Sequence, residues 1–231
     1  KEIKPIIGQC AYVALDKLTD KRARIDDKSN QLVLLCETEE GYKNLLKLTT
    51  IAHLEGYYYK PRIDKDILRQ HAKGLIGLSG GMRGAICKAL AMDEFGKAEE
   101  LAREFVGIFG EGNFFLEIQD HPELDEQQAR NRDLIKLSEK TGIPLVATKD
   151  VHYLKRDDAE AHDVLTCIGE GKTLDDERRV RMTDADYSLV SAEHMEKAFS
   201  HVPEAIENTR KIADRCNVNL ELGKWNFAEI A

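Results

Sequence analysis

The sequence predicts an α/β fold in which a parallel sheet, flanked by helices, forms part of a barrel. Three observations lead there. Five short apolar runs recur along the chain, and longer amphipathic stretches separate them, the pattern of right-handed βαβ units. No internal repeat or low-complexity linker divides the 231 residues. A closed eight-stranded barrel typically takes about 250 residues, so five strands here make an incomplete one.

The elements follow in order. Residues 6–13 form the first strand and Leu32-Val33-Leu34-Leu35 the second. Thr38 can then cap a helix whose first turn carries Glu39 and Glu40, carboxylates well placed at a positive helix end. Its apolar positions Tyr42, Leu45, Leu46, Leu48 and Ala52 follow helical spacing. Residues 57–62 make an aromatic, basic loop, and a short helix from Asp64 to about Ala72 leads into the strand Leu75-Ile76-Gly77-Leu78. Helices follow over 85–91 and 95–109, then a strand over 114–118. A helix over about 126–140 stops at Gly142, before the strand Leu145-Val146-Ala147-Thr148. Asp157 with Glu160 reads as a capping box opening a helix that runs to about Ile168. Residues 169–189 are irregular and charged, and two helices close the chain, one after Ser191 and one from Pro203.

Composition narrows the function classes. With 42% hydrophobic and 33% charged residues the chain reads as globular, and no apolar run approaches the ~20 residues that span a bilayer. Five scattered cysteines without a CxxC pair argue against a zinc ribbon or disulfide framework and fit a reducing cytosol. A net charge of −8 argues that this stretch is not the main grip on DNA. Lys1 in place of methionine, followed so soon by Pro5-Ile6-Ile7, reads as a cut through a larger protein.

In parallel α/β folds, functional groups collect at the carboxyl ends of strands. Asp150 and His152 close one strand two residues apart, so in extended chain both point to one side, where they suit a divalent metal such as zinc or manganese. A helix cap beside a hydrogen-bonded surface histidine explains the same tripeptide. Asp120 and His121 close another strand but are adjacent, so they should diverge. Ser79-Gly80-Gly81-Met82-Arg83-Gly84 is a glycine-rich turn that matches neither the P-loop nor the dinucleotide fingerprint, although Arg83 could attract an anion. His162, four residues after Asp158, reads as half of a solvated i,i+4 pair. Arg178, Arg179 and Arg181 read as a solvated loop balanced by Asp175, Asp176 and Glu177. No GxSxG elbow or Cys/His arrangement suggests nucleophilic catalysis.

Several runs carry a family resemblance. They include Lys4-Pro5-Ile6-Ile7-Gly8, Gly41-Tyr42-Lys43-Asn44-Leu45, residues 54–64, Gly74-Leu75-Ile76 and residues 146–153. Residues 158–165, 172–176 and 203–209 and Arg215-Cys216-Asn217-Val218 continue the series in family order. Together they resemble the PHP (polymerase and histidinol phosphatase) domain of bacterial DNA polymerase III alpha subunits over essentially the whole chain. The resemblance implies a distorted TIM-like (βα)7 barrel around a cluster of up to three metals, with an HxH motif and a further histidine upstream of Lys1. It puts Cys10, Gln31 and Gly81 at three later ligand positions and keeps only the last pair, Asp150 and His152, as a remnant metal site. Loss of even a partner behind a ligand costs ~10–100-fold in metal affinity, so three replaced ligands imply a degraded site.

On this resemblance residues 1–190 form an N-terminally truncated PHP barrel, and residues 191–231 a helical segment leading toward a polymerase palm. The implied role is that of a structural and interaction module in a cytoplasmic replicative polymerase. Its implied partners are the palm and thumb, DNA reached through the parent enzyme, and replisome subunits, with no membrane. The parent uses magnesium, and the fragment itself has no catalytic residue, with zinc or manganese as residual metals. Two alternatives belong to other classes: an active metal-dependent phosphoesterase or 3′-5′ proofreading exonuclease, and a freestanding phosphatase of the histidinol-phosphate kind.

Overall fold

The computed structural model describes residues 3–179, 181–220 and 222–223. Strands β1 (Gly8–Ala14) and β2 (Ser29–Cys36) precede helix α1 (Glu39–Leu54), the two-residue strand β3 (Arg62–Ile63) and α2 (Lys65–His71). Strand β4 (Leu75–Leu78), a 3-10 turn over Gly81–Arg83, α3 (Ala85–Ala91) and α4 (Phe95–Phe109) come next. Then follow β5 (Phe114–Gln119), α5 (Asp125–Thr141), β6 (Leu145–Thr148) and α6 (Ala159–Glu170), and finally α7 (Ala192–Ala198) and α8 (Pro203–Arg215). The last residues of the expected 191–231 segment, from 224 onward, lie outside the described residues.

The six strands form one sheet in the order β3-β1-β2-β4-β5-β6, open between β3 and β6 among the described residues. This is a mixed α/β fold matching an incomplete PHP-type barrel. One strand departs from the expected parallel sheet. β2 runs antiparallel to both neighbours, with Cys10 opposite Val33 and Val33 opposite Leu78, whereas β1–β3, β4–β5 and β5–β6 pair in parallel. The 15–28 connection explains the reversal: it holds no helix to carry the chain across the sheet, and without a crossover the next strand returns beside the first. The reversal also has a positional consequence. Gln31, near the start of β2, lies level with the carboxyl ends of β1 and β4.

Alternation along the strands buries both faces of the sheet. On one face Leu34, Leu75, Phe114, Leu116 and Leu145 join Leu48, Ala98, Phe105 and Leu134 from the helices in the main core. On the other, Ile76, Leu78, Phe115 and Val146 pack with Ile212 and Cys216 from α8 and its C-terminal end. Polar contacts tie α8 to the same strand: Asn208 Nδ2 donates to the Leu145 carbonyl at 2.8 Å and Thr209 Oγ1 to the Ala147 carbonyl at 3.2 Å.

Local chemistry sets the helix ends. Thr38 accepts from the Gly41 N–H, capping its helix as the sequence suggests, and Asp64 accepts from the Ile67 N–H to cap α2. The capping box expected from Asp157 and Glu160 does not form. Instead Asp158 accepts from the Lys155 N–H at 3.0 Å across a 3-10 turn, and α6 starts one residue later.

Candidate functional site

The carboxyl ends of β4, β5 and β6 open into a cavity of about 640 Å³ on the α8 side of the sheet. Cys10, Gln31, Glu117, His121, Asp150 and His152 line it, together with Arg83, Arg181 and Tyr187. Glu117 forms the floor. It follows Phe115 by two residues, so the strand alternation turns it to this face, where it is buried. One carboxyl oxygen accepts from Thr148 Oγ1 at 2.8 Å and the other from the Gly80 N–H at 3.1 Å. Burial pushes this carboxyl above its ordinary range, and the Asp150 charge adds to the effect against the Thr148 hydrogen bond and the Gly80 and Gly81 N–H groups.

The Gly80 contact depends on backbone shape. Gly80 has φ 81°, and a Cβ there would lie 2.2 Å from the Gln31 carbonyl oxygen, so glycine lets the β4 turn close against β2.

Asp150 and His152 do meet, with His152 Nε2 3.4 Å from Asp150 Oδ1. Regular strand alternation is not the cause, because β6 ends at Thr148 and Asp150 takes a left-handed turn at φ 54°. His152 is then fixed by its own N–H, which donates to the Tyr187 carbonyl at 2.9 Å.

Asp120 and His121 diverge as expected, although β5 ends at Gln119 and both lie just beyond the strand. His121 lines the cavity beside the Tyr187 ring, 4.6 Å between centroids, and is 2% exposed with neither ring nitrogen partnered among the described residues. Burial, then the Lys149 charge, holds its imidazole below the ordinary range, favouring the neutral form. Asp120 turns away to Lys149 Nζ at 3.3 Å and His194 Nε2 at 2.8 Å, joining the sheet to α7.

Two charged groups sit differently from the sequence expectation. His162 does not pair with Asp158; its ring lies 5.1 Å from that of His152 and 5.6 Å from that of Tyr153. The arginine cluster is not simply solvated. Arg179 grips Asp163 through both terminal nitrogens, with Nη2 to Oδ2 at 2.8 Å, and Arg181 lines the cavity. Long-range packing of the 172–190 segment brings these groups in, and sequence spacing carries no sign of it.

A PHP domain family model matches residues 1–121, just over half of the chain. The chain belongs to the PHP domain family. It is 42% identical over 219 residues to DNA polymerase III subunit alpha of Treponema pallidum, which covers 94% of this chain and 19% of that protein. It is 43% identical over 216 residues to the subunit of Borreliella burgdorferi, covering 93% and 19%. For Thermus aquaticus the figures are 41% over 226 residues, 96% and 18%. The PHP chain thus spans about a fifth of the length of these curated relatives.

The PHP cavity does not fit the multi-metal cluster that the family resemblance implies. Gln31 offers a neutral amide. The Cys10 thiol, at the exposed rim, is pushed above its ordinary value by partial desolvation and then by Glu117 and Asp150, with Arg83 opposing, which disfavours the ligating thiolate. A Cβ at Gly81 would stand 2.6 Å from Gln119 Oε1, so the Gln119 amide already fills that corner. Among the described residues no group of three or more His, Cys, Asp or Glu side chains stands where one metal ion could be held.

Proposed function

We propose that this chain is the PHP portion of the alpha subunit of a DNA-directed replicative polymerase, acting as a structural and interaction module around a degraded metal site. The carrying observation is the alignment over 93–96% of the chain with DNA polymerase III alpha subunits of three bacteria. In this reading residues 1–190 are the barrel part and 191–231 the segment leading toward the palm. Asp150 and His152 are the remnant of the ligand set, and magnesium serves nucleotide addition elsewhere in the parent. The enzyme works in the cytoplasm with DNA and replisome subunits. No helix among the described residues is long and apolar enough to cross a membrane.

The interaction role has support in α6. Its inward side carries Asp163 and Cys167, while Ala161, Val164, Leu165 and Ile168, spaced i, i+3, i+4 and i+7, face solvent. Amphipathic helices bury such a stripe, and the palm or thumb of the parent is the proposed cover. The unpartnered nitrogens of His121 are the observation that favours an active phosphoesterase or proofreading exonuclease instead. Replacing both Asp150 and His152 by alanine in the full-length protein separates the two readings. The proposal expects nucleotide addition to stay within about two-fold of wild type and no exonuclease activity to depend on the pair, whereas a metal site in use would lose its own activity by about 10–100-fold or more. Loss of a measurable exonuclease activity in the same variant would favour the alternative.

A further inference from the structure

Two loops at the β3 edge of the sheet are locked together and carry a pattern that the cavity does not use. Arg62, 1% exposed, donates from three nitrogens to four backbone carbonyls: Gly56 at 3.1 Å, Asp26 at 2.7 Å, Leu18 at 3.0 Å and Asp20 at 2.8 Å. It thereby fastens the 15–28 connection to the 57–60 loop. Tyr58 covers this guanidinium at 5.4 Å and closes a tight turn by donating its N–H to the Lys60 carbonyl at 3.1 Å. The turn throws its neighbours outward, leaving Tyr57 54% and Tyr59 72% exposed.

Backbone strain marks the same place. Tyr59 sits at φ 60° and Arg24, on the facing loop, at φ 63°, a region that side chains larger than Asn or Asp rarely occupy. Strained residues persist where surrounding structure holds them, and they cluster at binding sites. Here the Arg62 clamp does the holding.

Charge adds a third observation. Arg22 engages Asp16, Asp20 and Asp26, and the 15–28 loop carries five basic residues against four acids. Lys17, Lys21, Arg24 and Lys28 are exposed and form no ion pair with a carboxylate among the described residues, and Lys60 lies 4.5 Å over the Tyr12 ring. The loop pair therefore presents two open aromatic faces bordered by five cations, although the chain as a whole carries −8.

We propose that this loop pair is a stacking platform for single-stranded nucleic acid, with Tyr57 and Tyr59 under successive bases and the Lys17, Lys21, Arg24, Lys28 and Lys60 charges along the phosphates. Aromatic stacking beside a cationic track is the chemistry that binds single strands with little sequence preference. A phosphate-only ligand would leave the strained, outward tyrosines without a role. The inference stands on these residues and goes beyond the proposed role of the cavity.

The test is photo-crosslinking of a 5-iododeoxyuridine-substituted oligodeoxythymidylate to the full-length protein at low salt, with crosslinked peptides mapped by mass spectrometry. A matching oligouridylate arm reads whether DNA or RNA is preferred, and labelling of the loop by either strand supports the platform. The expected map includes a crosslink at Tyr57 or Tyr59 in the wild-type protein that fades as salt rises. Tyr59→Phe keeps it. Tyr57→Ser combined with Tyr59→Asn lowers it roughly 10-fold, as loss of stacking would, while the melting temperature holds because Asn tolerates the left-handed turn. Crosslinks confined to other peptides in both wild-type arms, or a loop crosslink undiminished in the double variant, would overturn the proposal.

Discussion

Glu117 lies under the cavity with its carboxyl above the ordinary range, and the sign of its effect on stability follows directly. A folded-state value raised above the unfolded one stabilises fully below the unfolded carboxylate range, near 4.3 for glutamate. That contribution is lost as pH rises through the folded value. Glu117→Gln has no such loss, so its melting temperature should gain on that of the wild type as pH rises above the unfolded glutamate range. A difference that is flat or shrinks over that rise would count against a buried, proton-holding Glu117. The sequence hid this residue, because it lies inside the apolar run 114–118 and only its place in the strand alternation turns it to the cavity. Asp150 and His152 were legible as a polar pair closing a strand, and His121 as one half of a diverging pair. The left-handed turn at Asp150 that brings its carboxylate to His152 was not, since nothing in the tripeptide marks it. His162 and Arg181 stayed hidden for another reason: the packing of 159–190 back onto the sheet brings them in.

At the scale of elements, strands β4 to β6 and the helices between them read well because apolar runs and amphipathic stretches alternate cleanly there. β2 read correctly as a strand but in the wrong direction. Its run Leu32-Val33-Leu34-Leu35 suits either direction, and the informative feature was the helix-free 15–28 connection before it. The two-residue β3 straddles the end of what reads as an aromatic loop and is too short to show any period. α6 was placed within two residues, but its exposed stripe needs the structure, because helical spacing says which residues share a face and not which way that face points. If the parent covers this stripe, Leu165→Glu with Ile168→Glu should loosen the full-length protein. Burying such groups against a partner and then removing them costs on the order of 2–5 kcal/mol. Thermal unfolding and limited proteolysis of the full-length variant check this. A melting temperature and a cleavage pattern equal to wild type would show that α6 faces water in the parent as well.

Across the whole molecule, the sheet divides the chain into a large core under helices α1 to α5 and a smaller one sealed by α8, and the cavity opens at one end of the smaller side. That arrangement explains how a PHP domain could lose metal chemistry and keep its fold. The two cores lie beneath and beside the cavity and share none of Gln31, Asp150 or His152. Substitution at the strand ends therefore leaves the packing that holds the sheet together in place. The proposed role as a structural module rests on that separation. Metal analysis of the purified full-length protein, with exonuclease activity assayed on the same sample, tests it most directly. The expected result is no tightly held multi-metal centre and no exonuclease activity attributable to Asp150 and His152. Two or more tightly held metals per chain, with activity that disappears when both residues are replaced by alanine, would contradict it.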